Sequence, residues 1–141
     1  MIAYACPMIG TAAKSLSSET TTNGIRVRAE PDFVDSHSDA EKGRFVFSYK
    51  VQMTNEGSDP IRLNSRRWHI VDADGTRNEV IGPGVVGKFP NLAPGETFEY
   101  SSYCILPTPW GTMEGHFIFD REDGSTVEAQ VARFYLATKS S

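Results

Sequence analysis

The segment Phe45-Val46-Phe47-Ser48-Tyr49-Lys50-Val51-Gln52-Met53 carries an apolar side chain at every odd position. Side chains alternate between the two faces of a strand, so this spacing places Phe45, Phe47, Tyr49, Val51 and Met53 on one face. A helix cannot gather those five residues on one side, because its period is 3.6. The segment therefore commits its part of the chain to a β-strand with one buried face.

The same signature recurs along the sequence. Ile25 to Ala29 alternates apolar and charged residues. Asn55 to Pro60 is a turn cluster, and Ile61 to Val71 reads as the next strand. Its inward positions shift from odd (Ile61, Leu63) to even (Trp68, Ile70), which predicts a bulge near Ser65-Arg66. Asp74-Gly75 signals a hairpin turn before a short strand, Arg77 to Ile81. Further strands are expected at Glu96 to Ile105, Met113 to Asp120 and Thr126 to Leu136, with Asp123-Gly124 as a tight turn.

Seven strands without a convincing helix predict an all-β domain, a seven-stranded antiparallel immunoglobulin-like β-sandwich. A barrel is the alternative architecture. Residues 1–22 read as a disordered N-terminal tail, since Ser15 to Thr22 is polar and aperiodic. Residues 23–141 then form one domain.

The formal net charge of -4 argues against non-specific nucleic-acid binding, which requires clustered positive charge, although Arg62, Arg66 and Arg67 lie close enough together for a local basic patch. Cys6 and Cys104 make no disulfide framework and are expected as free thiols. Two cysteines and three scattered histidines give no zinc spacing. No apolar run approaches the length of a membrane span, and Met1 to Met8 lacks a positive n-region. A cytoplasmic protein is the expectation.

Gly82-Pro83-Gly84-Val85-Val86-Gly87 matches the dinucleotide fingerprint G-x-G-x-x-G. Its context does not. That fingerprint opens a helix, whereas Pro90 and Pro94-Gly95 follow here. A P-loop also fails, because Phe89 stands where Ser or Thr should follow Lys88. Two readings stay open. The backbone amides of Gly82, Gly84 and Gly87, with Lys88, could form an anion-binding nest for a phosphate-containing small molecule. Alternatively the glycines supply positive φ or close strand approach.

Arg66 and Trp68 share a face if the strand is regular, and both residue types are enriched at interaction hot spots. Trp68 is either part of that patch or a core residue. Trp110, in Pro107-Thr108-Pro109-Trp110-Gly111, lies in a rigid turn and is the preferred partner contact with Arg66. His37, His69 and His116 are scattered. Asp72-Ala73-Asp74-Gly75 could contribute carboxylates to a cation site, but turn chemistry explains it fully. No catalytic constellation is present.

The string from Ser65 to Gly115 resembles the ApaG family. The matching residues are Ser65-Arg66, Trp68, Ile70, Asp72, Gly75, Glu79-Val80, the glycine loop, Pro90, Pro94-Gly95, Phe98-Glu99-Tyr100 and Ser102. They continue with Leu106, Thr108-Pro109, Gly111-Thr112-Met113 and Gly115. Arg67, before the tryptophan, and Lys88, after the third glycine, depart from the family's usual residues, so no role for Lys88 is carried over. The resemblance implies a fibronectin-III-like sandwich. It also implies a genetic link to cobalt and magnesium tolerance in bacterial members and protein binding in eukaryotic ones. Phosphate or nucleotide binding has been suggested for such proteins on the glycine motif alone.

The expectation is therefore a non-enzymatic module without a cofactor that binds a protein. Its surface would be the loop Gly82 to Pro94 with the turn at Trp110, or an exposed sheet edge. Phosphate or nucleotide binding and direct divalent-metal binding are the alternatives.

Overall fold

The computed structural model describes residues 16–138. Nine strands follow in chain order: β1 (Ser18–Thr22), β2 (Ile25–Phe33), β3 (Phe45–Asn55), β4 (Ile61–Asp72), β5 (Arg77–Pro83), β6 (Asn91–Leu92), β7 (Thr97–Leu106), β8 (Trp110–Arg121) and β9 (Thr126–Ala137). Two single 3-10 turns, Asp35–His37 and Ala40–Lys42, join β2 to β3. All strand pairs are antiparallel. One sheet has the order β1-β2-β3-β7; the other has β5-β4-β8-β9, with β6 added to β4 beyond β5.

All seven expected strands are present, and the sandwich is the architecture. Two expectations are corrected. There are nine strands rather than seven, because β1 and the two-residue β6 were not anticipated. The tail, expected to reach Thr22, does not: Ser18–Thr22 pairs with Ile25–Ala29 as an edge strand. Asn23-Gly24 joins the two with positive φ at both positions, 52° and 78°. This is the geometry of the tight hairpin turn that Asn-Gly favours. Residues 1–15 of the expected tail, with Cys6, lie outside the described residues.

The core forms where the inward rows of the two sheets meet. Phe47, Tyr49, Val51 and Met53 of β3 are buried as the alternation demands, and Phe45 packs partly against them. Leu63 and Trp68 of β4, Met113, Phe117 and Phe119 of β8 and Phe134 of β9 form the inward row of the other sheet. The shift of register on β4 falls between Leu63 and Ser65, one step before the predicted bulge. That shift turns Trp68 inward, to 2% exposure, with its ring edge-on to Phe117 at 5.8 Å and Phe134 at 5.9 Å. Trp68 is therefore a core residue.

The two flanks of the sandwich differ. On one flank β1 faces β9, and hydrogen bonds tie them across the gap. Ser18 Oγ donates to the Ala132 carbonyl at 2.7 Å, Asn23 Nδ2 donates to the Glu128 carbonyl at 2.9 Å, and the Gln130 N–H donates to Thr22 Oγ1 at 3.0 Å. On the other flank β5 faces β7. Among the described residues no hydrogen bond joins those two edges.

Candidate functional site

The open flank holds a cleft of about 520 Å³ between β5 and β7. Trp68 and Met113 lie at its floor, and Val80, Tyr103 and Ile105 lie at its rim. Tyr103 is 67% exposed, with Ile105 and Val80 also exposed. Both walls are sheet edges, so each presents unpaired backbone groups to solvent. The size falls within the range of small-ligand and peptide pockets.

Arg66 stands at one end of this cleft, on the inward face of β4. Its Nη1 donates to the carbonyls of Pro83 at 3.0 Å and Gly84 at 2.8 Å. The ion pairs among the described residues engage Arg26, Arg28, Lys50, Arg67, His69 and Arg133, and none engages Arg66. Gly82 opposes Arg66 in the ladder, and a Cβ there would stand 3.1 Å from both terminal nitrogens of the guanidinium. Gly82 thus makes room for Arg66, and Pro83 and Gly84 supply its acceptors.

The rest of the glycine loop is a second tight hairpin. The Val85 N–H donates to the Lys88 carbonyl and the Lys88 N–H to the Val85 carbonyl, at 2.9 and 2.8 Å. Val86 and Gly87 between them have φ of 43° and 78°. The Gly84 N–H donates to the Asn64 carbonyl at 2.9 Å. Gly84, Val85 and Lys88 therefore spend their amides inside the protein, and Pro83 has none. What the loop turns toward a charged group is carbonyl oxygen, and the charged group is Arg66. Lys88 is exposed.

Trp110 opens β8 and is 51% exposed. Phe117, the register partner of Arg66, lies seven residues along β8 from Trp110. At about 3.3 Å per residue that separation is roughly 23 Å. Arg66 and the glycine loop are one unit; Trp110 stands at the opposite end of the sandwich. His37, His69 and His116 lie on separate elements. Among the described residues no three His, Cys, Asp or Glu side chains are gathered so as to hold a metal. Nor is any helix there long and apolar enough to cross a membrane.

Burial shapes the chemistry of the cleft wall. It pushes the Cys104 thiol up to about 11, which leaves it protonated near neutrality. Burial also raises the Tyr49 phenol, an effect that a hydrogen bond with Ser102 and the charge of Arg66 partly offset. Glu79, whose backbone borders the cleft, turns its carboxylate to the outer face of the sheet, where it accepts from Arg67 Nε at 2.8 Å. That hydrogen bond holds its carboxyl below the ordinary carboxylate range.

The comparisons with known proteins agree with this architecture. The ApaG domain profile matches residues 35–121. The chain belongs to the ApaG domain family. It is 48% identical over 124 residues to Protein ApaG of Anaeromyxobacter dehalogenans (strain 2CP-C), covering 88% of this chain and 98% of that one. It is 49% identical over 115 residues to Protein ApaG of Methylobacterium sp. (strain 4-46), covering 82% and 88% respectively. The crystal structure of an ApaA protein from Bordetella pertussis superposes with a TM-score of 0.77 at 45% identity, covering 84% of this chain and 94% of that one.

Many residues that carry the ApaG resemblance hold backbone in place. Asp72 Oδ1 accepts from the N–H groups of Asp74 and Thr76, which closes the β4–β5 turn. The Thr108 hydroxyl accepts from the Ala73 N–H and donates to the Trp110 carbonyl, so it ties that turn to the start of β8. Gly111 lies so near β4 that a Cβ would sit 2.6 Å from the Val71 carbonyl oxygen. At Gly115 a Cβ would collide with the Arg67 carbonyl oxygen. The ApaG positions Trp68, Val80 and Ser102 are different, because they line the cleft.

Sequence reasoning singled out Arg66 but not the cleft it serves. The missed residues are Tyr49, Val80, Tyr103 and Ile105. A signal was present in β7, where Tyr100 and Cys104 make one face apolar and Tyr103 and Ile105 add apolar side chains to the other. A strand buried on one face only has no use for that second row.

Proposed function

We propose that this chain is a non-enzymatic module that binds another protein, taking an extended segment of it into the flank between β5 and β7. The observation that carries this reading is the contrast between flanks. The β1–β9 flank is sealed by hydrogen bonds, whereas the β5–β7 flank is an open cleft rimmed by exposed Val80, Tyr103 and Ile105. An extended segment laid there gains main-chain hydrogen bonds from a free edge and pockets for alternate side chains.

The cleft wall favours binding over catalysis. Its thiol is held protonated, and the nearby Glu79 turns its carboxylate to the other face of the sheet. The buried free Cys104 fits a reducing, cytoplasmic setting. On this reading the cobalt and magnesium tolerance associated with the family is a consequence of what the module binds.

A photo-crosslinking amino acid at Tyr103 tests the reading against one at Glu128, which is exposed on β9 of the sealed flank. In cells of the source organism, position 103 should give a discrete adduct that Ile105→Lys abolishes, and position 128 should not. Equal adducts at both positions, or an adduct indifferent to Ile105→Lys, would sink it.

A further inference from the structure

The blind end of the cleft carries an unusual set of groups, and nearly all of them donate. Arg66 has no carboxylate partner among the described residues, and its two hydrogen bonds both leave from Nη1. The Trp68 Nε1–H is buried without a partner, as is the Tyr100 hydroxyl. Trp68 and Tyr100 are 2% and 7% exposed. Leaving a buried donor unpaired is costly, so both groups require an explanation. Tyr49 packs edge-on to Trp68 with ring centroids 5.5 Å apart, and its phenol feels the charge of Arg66, as does that of Tyr100. Glu79 does not neutralise the set, because its carboxylate lies on the outer face of the sheet with Arg67 and His69.

The cleft also stops here. Beyond Arg66 the space between the sheets is filled by buried Val85 and Leu92, and Phe98 stacks on Tyr100 with centroids 6.4 Å apart. A segment that enters from the Pro107 end and runs along β7 meets Arg66 and has nowhere to continue. Its last group must be small, anionic and rich in acceptors.

We propose that Arg66, Trp68 and the Tyr49 and Tyr100 hydroxyls form a carboxylate subsite. It receives the C-terminal carboxylate of a partner chain whose final residues lie as an added strand between β5 and β7. This rests on the docking reading above and deepens it. Arg66 supplies charge and a planar fork of donors, and the indole and phenol donors complete the shell in a site shielded from water. The apolar rim takes alternate side chains of the segment. The glycine loop serves this site indirectly, by holding Arg66 at the cleft's end through two carbonyls.

The test uses an acetylated peptide of alternating valine and threonine ending in leucine, and its C-terminally amidated twin. The whole chain carries Trp110→Phe, so that Trp68 is the remaining indole. The readouts are the Trp68 indole N–H resonance and the backbone amides of Tyr103 and Ile105. The free-acid peptide should shift all three saturably, and the amide should bind about tenfold or more weakly. Arg66→Met should erase the difference between the two peptides, and Arg66→Lys should retain part of it. Equal binding of acid and amide by the parent chain, a comparison that needs no folding of an Arg66 variant, overturns the subsite and leaves the docking cleft standing. Binding of neither peptide overturns both. Acetate or inorganic phosphate moving the indole N–H at concentrations as low as the peptide's would make this a small-anion site and overturn the C-terminal assignment.

Discussion

Arg66 Nη1 donates to the carbonyl of Gly84 at 2.8 Å, although the two residues are 18 positions apart in the chain. The glycine motif therefore meets a cation, where its resemblance to phosphate loops would place an anion. Sequence motifs of this type are defined by where the chain can bend tightly. They do not specify whether N–H or C=O groups end up facing the ligand.

The loop's glycines should differ in their tolerance of a methyl group. Gly84 has φ of 58°, and a Cβ there would run into the Lys88 carbonyl oxygen. Gly87 has φ of 78° but open space around it. Gly84→Ala should cost about 3 kcal/mol, from overpacking added to backbone strain, and Gly87→Ala about 1 kcal/mol from strain alone. Urea unfolding of both variants checks the order, and equal costs would contradict the geometry.

Val86 is a β-branched residue in the left-handed region, at the first central position of its hairpin. Asn is favoured at that position, and a left-handed non-glycine residue costs roughly 1–2 kcal/mol. Val86→Asn should therefore stabilise the chain by about 1 kcal/mol. A rise in the urea midpoint without a change in slope would be the expected record.

Alkaline conditions should weaken the fold. The Cys104 thiol moves from an ordinary value of 9.0 up to about 11 in the folded chain, because burial favours its neutral form. Burial raises Tyr49 and Tyr100 in the same sense. Each contribution is fully present below the unfolded value and is lost as pH rises through the folded one. Stability measured by denaturant should be flat on this account below about pH 9 and should fall through about pH 11. In a Cys6→Ser background, alkylation of Cys104 should be slow near neutrality and accelerate over the same window.

Pyrophosphate titration separates the two uses of the glycine loop. The amides of Gly84, Val85 and Lys88 already donate to protein carbonyls. Their resonances should stay in place at ligand concentrations that shift ordinary phosphate sites. Saturable shifts at the amides of Gly82, Gly84 and Gly87 would support the anion nest instead.

Much of the fold was legible because burial in a sandwich writes itself as period two. Phe47, Tyr49, Val51 and Met53 could be placed from spacing alone, and the bulge on β4 followed from the odd-to-even shift. β1 was missed although Asn23-Gly24 announced a hairpin, because a polar Ser-Glu-Thr-Thr-Thr run gives no hydrophobic alternation. The cleft was not legible at all. It depends on which strands become edges, and that is decided by pairings between residues as distant as Thr54 and Thr97. Arg66 and Gly84 could each be noticed in the sequence, but not that they touch.

The sealed flank has a consequence for how such a domain can be joined to others. β1 and β9 carry the two ends of the described chain, and both lie on the side away from β5 and β7. Three strand spacings of about 4.8 Å separate each terminal strand from the far edge of its own sheet, so roughly 14 Å intervene. A neighbouring domain fused before β1 or after β9 would therefore leave from strands at the flank opposite the groove.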